Sequence, residues 1–132
     1  MNNPAASAMH PDQESLQDQA VAALRDELLS KVGNDRSIAA ELAHSLHVNH
    51  RKDVDALQLA IGQEQWLDVK RYAHRILNTA QLLGCSALVE LCLRVETLLV
   101  REPGQAREEL LADYVPVVKN LSAVLERVSR TF

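Results

Sequence analysis

The sequence predicts an all-α protein, an antiparallel up-and-down four-helix bundle with an additional N-terminal helix. Three observations carry this expectation. Leu, Ala, Val and Glu are abundant, while Gly and Pro number four each and aromatic residues make up 3%, a composition that favours helices over strands. Apolar residues recur in steps of three and four along several long segments, the signature of helical faces turned to a core. Turn chemistry separates those segments at Gly33, Gly62, Gly84 and Pro103-Gly104. Short connections between long amphipathic helices favour antiparallel neighbours.

Residues 1–11 are small and polar with no apolar period, so they are assigned as a disordered tail, and 12–132 as one helical domain. From about Asp12, the stripe Leu16, Ala20, Ala23, Leu24, Leu28 predicts the first helix, stopped at Gly33. Asn34, Asp35 and Ser37 offer N-cap side chains for a long second helix carrying Ile38, Leu42, Leu46, Val54, Leu57 and Ile61. Within it, His47 to Asp53 is polar and weakly periodic, which predicts a kink or a solvent-exposed stretch. The third helix runs from about Glu64 to Leu83, and Gly84 is placed to close it in the left-handed conformation. Leu88, Cys92, Val95 and Leu99 mark the fourth helix. Leu110, Leu111, Tyr114, Val117, Val118, Leu121, Leu125 and Val128 mark the last, with a kink expected at Pro116 because proline removes a backbone donor and clashes with the preceding turn.

A chain of 132 residues with 47% apolar content has room for one domain with a proper core. The net charge of −4 argues against a nucleic-acid binder, which needs a basic face to recruit phosphates. No run approaches the length of uncharged residues that a membrane helix needs, and the N-terminus lacks the apolar core of a secretory signal. A cytoplasmic protein without membrane partners is therefore expected, and a single exposed site on a small bundle suggests a monomer. Cys85 and Cys92 lie on one face of one helix, out of reach of a mutual disulfide, and read as buried reduced thiols.

Tyr72-Ala73-His74-Arg75 lies at the centre of the third helix. Its apolar stripe is Trp66, Val69, Ala73, Ile76, Ala80 and Leu83, and His74 points roughly 130° from the middle of that stripe, towards water. Its neighbours on the helix surface are Leu67, Lys70, Arg71, Asn78 and Gln81. An imidazole among two cations and two amides is a place to hold an anion. Base catalysis needs a pocket, a partner acid or a nucleophile, and a helix face with none of these gives a general base nothing to work on. Accepting a phosphoryl group on nitrogen needs only an accessible neutral ring nitrogen and surroundings that tolerate a dianion.

From Ala73 to Glu96 the chain reads Ala73-His74-Arg75-Ile76-Leu77-Asn78-Thr79-Ala80-Gln81-Leu82-Leu83-Gly84-Cys85, then Leu88, Cys92 and Glu96. This resembles the histidine-containing phosphotransfer (HPt) domains of bacterial multistep phosphorelays. In that pattern alanine precedes the histidine, a leucine-glycine pair follows nine and ten residues on, and the next helix carries leucine, cysteine and a closing glutamate. The resemblance implies that His74 is the phosphoacceptor, relaying a phosphoryl group between receiver-domain aspartates. It implies no ATP-binding apparatus, no cofactor of its own, and a magnesium ion on the partner receiver. The implied partners are the receiver domains of a hybrid sensor kinase, a response regulator, or both. Lys70, Arg71, Arg75 and Asn78 are then expected to support the phosphoryl group, and Leu67, Leu77, Gln81 and Leu82 to contact the receiver. The family has lysine and glycine where this chain has Leu77 and Asn78. That difference motivates an alternative reading, an HPt-like adaptor that binds a receiver domain without phosphotransfer.

Other polar side chains read more plainly. His44, His47 and His50 recur every three residues, but steps of three drift around a helix by about 60° each, so a solvated polar face is expected there and no metal site. Trp66 and Tyr114 are expected as core or interface fillers.

Overall fold

The computed structural model describes residues 4–99, 101 and 104–132, with side chains from Leu16 onward apart from residues 100, 102 and 103. Five helices account for nearly all of them: α1 (Pro4–Lys31), α2 (Arg36–Gly62), α3 (Trp66–Leu83), α4 (Ser86–Leu98) and α5 (Gln105–Arg130). No strand occurs among the described residues. None of their helices is long and apolar enough to cross a membrane.

Local chemistry sets the ends of these helices. Asp35 caps α2, its Oδ1 accepting from the backbone N–H of Ser37 at 3.0 Å and Ile38 at 3.1 Å, a contribution of about 1 kcal/mol. Gly84 ends α3 in the left-handed conformation at φ 69°, and the next amide, Cys85 N–H, reaches back to the Ala80 carbonyl at 2.9 Å. That pairing satisfies a carbonyl that the helix end would otherwise leave open, and glycine reaches the conformation without a Cβ penalty. The α2 to α3 turn instead places Glu64 at positive φ.

Helices α2 to α5 form a closed ring, each packed on the next and α5 on α2. Cross-helix bonds fix their direction. Asp53 and Arg75 pair at equal distances from the α2–α3 turn, and His74 and Glu96 pair at nearly equal distances from the α3–α4 turn, as antiparallel hairpins require. The ring encloses Val54, Leu57, Val69, Ile76, Cys92, Val95, Tyr114, Val118 and Leu125, all buried. Helix α1 packs mainly on α5. It contributes Val21, Leu24 and Leu28 to the same core and is tied at the surface by Arg127, which donates to Gln17 and Asp18.

Two expectations need correction. Helix α1 starts at Pro4, well before Asp12, because the stretch is rich in alanine, the strongest helix former, and propensity does not require an apolar period; residues 1–3 of the expected tail lie outside the described residues. The section His47 to Asp53 is only partly solvent-exposed: Asn49, Arg51 and Lys52 are exposed, but His50 and Asp53 are buried, because α5 and α3 each supply a partner for them. The turn expected at Arg101 to Gly104 falls largely outside the described residues, with α4 ending at Leu98. Helix α5 runs through Pro116 as one element.

Candidate functional site

Helix α3 buries Val69, Ala73, Ile76, Leu77, Ala80 and Leu83, which turns the opposite side outward. His74 stands on that side with 61% of its side chain exposed. Its ring is held. Nδ1 lies 2.7 Å from Oε1 of Glu96 on α4, and the Glu96 side chain is only 16% exposed. A carboxylate accepts and an imidazole N–H donates, so the proton sits on Nδ1 and the lone pair on Nε2. The ring therefore presents its nucleophilic nitrogen on the side away from α4.

The expected cations divide. Lys70 is exposed one turn before His74. Arg71 is exposed but pairs with Asp68 at 3.3 Å, and its guanidinium lies 5.1 Å from the Tyr72 ring centre. Arg75 reaches sideways to α2, its Nε donating to Asp53 Oδ1 at 2.8 Å. Of the expected contact residues, Leu67 is 76% exposed, Leu82 is 38% exposed, and Gln81 and Asn78 are exposed. Leu77 is not available: it is 5% exposed and belongs to the core cluster. Its assignment to a docking patch is corrected, since its position on α3 falls beside Ala73 and Ile76 on the inward face.

Three residues of this neighbourhood escaped sequence reasoning. Glu96 was visible as the closing glutamate of the α4 motif, but its bond to His74 was not. Asp53 gave no local signal, because its partner lies on another helix. Leu93 is 48% exposed on α4, three residues before Glu96, and lines a shallow groove with Gln81, Val89 and Glu90. A larger groove of about 510 Å³ lies between α1, α5 and the Gly84 turn, lined by Leu24, Cys85, Leu121 and Val124 among others. It is about 15 Å along α3 from His74, at 1.5 Å per residue, and takes no part in this site.

Buried polar groups behind α3 are structural. His50 Nε2 donates to the Val118 carbonyl at 2.9 Å, and burial lowers its pKa against the raising influence of that bond and of Asp53. Cys92 Sγ lies 3.4 Å from Tyr114 Oη. Burial pushes the Cys92 thiol up to about 11 and the Tyr114 phenol up as well, so both stay protonated as packing groups. Trp66 is half-buried at the start of α3, with the Arg107 guanidinium 4.2 Å from its ring centre. Among the described residues no three His, Cys, Asp or Glu side chains come together as metal ligands would.

A comparison with family models matches the Hpt domain over residues 48–131, which spans His74, Glu96 and the whole α3–α4 hairpin. The chain belongs to the Hpt domain family. Hpt domains are phosphoryl carriers of two-component phosphorelays rather than kinases, and they interact with receiver domains. This Hpt domain is 29% identical over 107 residues to the virulence sensor protein BvgS of Bordetella bronchiseptica, a match that covers 81% of this chain and 8% of that protein. The chain thus spans less than a tenth of that relative's length. No solved structure matches it.

Proposed function

We propose that His74 accepts a phosphoryl group from the aspartyl phosphate of one receiver domain and passes it to the aspartate of a second. The supporting observation is the His74–Glu96 hydrogen bond. In the forward step the Nε2 lone pair attacks phosphorus, the bond from phosphorus to the receiver's carboxylate oxygen breaks, and the electron pair leaves with that carboxylate. The ring, protonated on Nδ1 and now substituted on Nε2, carries a positive charge that the Glu96 carboxylate faces directly. The reverse attack by a second receiver's carboxylate returns the neutral ring. The rest is positioning, as phosphoryl transfer generally requires. Leu67, Gln81 and Leu82, joined by Leu93, form the surface on which the receiver settles around His74.

Incubating the protein with a radiolabelled phosphorylated receiver tests this reading. Acid-labile, alkali-stable label that disappears in His74→Gln is the expected result. Binding of the receiver without transfer of label would instead support an adaptor, the reading to which Asn78 and the uncharged Leu77 lend weight.

A further inference from the structure

A phosphoryl group on His74 Nε2 brings up to two negative charges to a ring already bonded to the Glu96 carboxylate. The single positive charge of the substituted ring already faces the Glu96 carboxylate, so the phosphoryl oxygens are left to be balanced by a further cation. Arg75 is committed elsewhere. Its Nε is 2.8 Å from Asp53, whose side chain is 9% exposed, and withdrawing it would leave a buried carboxylate without its partner. Arg71 is shared between Asp68 and the Tyr72 ring. Arg94 lies two residues before Glu96 on α4 and so faces another way. Arg101 lies beyond the end of α4, more than one helical turn past Glu96.

Lys70 remains. It is exposed, it has no ion-pair partner among the described residues, and it lies four residues before His74 on the same helix face. Side chains on a helix lean towards its N-terminus, so the His74 ring lies over the turn that carries Lys70. With Nδ1 turned to Glu96, Nε2 is the ring nitrogen left to meet that turn. We infer that Lys70 is the side chain that holds the phosphoryl group on His74, and that Arg75 serves Asp53 and the α2–α3 packing instead. This inference rests on the phosphoacceptor reading above.

Potassium phosphoramidate serves as the phosphoryl donor in a direct test: Nε2 attacks phosphorus, the P–N bond breaks and ammonia leaves. Phosphorus NMR follows formation of the Nε2-phosphohistidine and its decay after the donor is removed. Lys70→Ala is expected to slow formation and shorten the lifetime about three- to fivefold, the scale of one exposed charge pair. Lys70→Arg restores most of the loss, added salt narrows the difference, and the melting temperature stays at the wild-type value. Lys70→Ala behaving as wild type overturns the inference. So does an equal or larger loss in Arg71→Ala, Arg101→Ala or a folded Arg75→Gln. A wild-type protein that forms no phosphohistidine, or one whose signal survives His74→Gln, overturns the phosphoacceptor reading itself.

Discussion

His74 Nδ1 donates to Glu96 Oε1 at 2.7 Å, a bond that joins the two helices on either side of Gly84. It sets the tautomer and fixes the ring, so its loss leaves an imidazole that rotates and exchanges tautomers freely. Glu96→Ala is expected to slow phosphoryl transfer from a labelled receiver about tenfold, the lower range for removing a group that orients a reacting histidine. Glu96→Gln keeps a carbonyl acceptor but not the charge, so its loss is smaller. Rates equal to wild type in both variants would dissociate this bond from the chemistry.

Leu77 occupies the position where a lysine is expected from the family pattern, and restoring the charge looks attractive from sequence alone. Its burial at 5% exposure reverses that expectation. Leu77→Lys removes packed methyl groups and drives an ammonium towards the core, at a cost of about 2–4 kcal/mol. Urea denaturation should show the midpoint falling, with no gain in the rate of phosphohistidine formation.

His50 is expected to make the bundle acid-sensitive. In the folded chain its neutral ring donates to the Val118 carbonyl, and burial lowers its pKa below the ordinary 6.5. As pH falls through 6.5 the unfolded chain takes up a proton that the folded chain refuses. The unfolded state then binds more protons, so stability is full above 6.5 and declines as pH drops towards the folded pKa, with a limiting slope of about 1.4 kcal/mol per pH unit for one proton. His50→Gln, which retains an N–H for Val118, should flatten the profile of unfolding free energy between pH 7 and pH 5. A profile unchanged by this substitution would assign the acid sensitivity to other groups.

Gly84 has open space around the position a Cβ would take, so a side chain meets no steric wall there. Its φ of +69° is the difficulty. Gly84→Val forces a β-branched residue into the left-handed region, and a loss of about 1–2 kcal/mol is expected. A melting temperature equal to wild type would show that the α3–α4 turn relaxes into another conformation.

The apolar stripes of α2 to α5, the left-handed stop at Gly84 and the outward placement of His74 were legible in the chain, because each depends on residues within one or two helical turns. The misread residues share one property. His50, Asp53 and Leu77 were judged by polarity or by motif position, whereas their burial depends on the helix that packs opposite. His50 finds a carbonyl on α5 and Asp53 finds Arg75 on α3. Such partners are separated by many residues and leave no periodic trace.

By itself, the sequence determined the helices, their antiparallel order and the histidine that meets solvent, since these follow from local periodicity and turn chemistry. Only the packing of α4 beside α3 decided which nitrogen of His74 is free to react, because a tautomer is chosen by the group that accepts its proton. Only the packing of α2 beside α3 withdrew Arg75 from that histidine, because the carboxylate of Asp53 is buried and needs its partner.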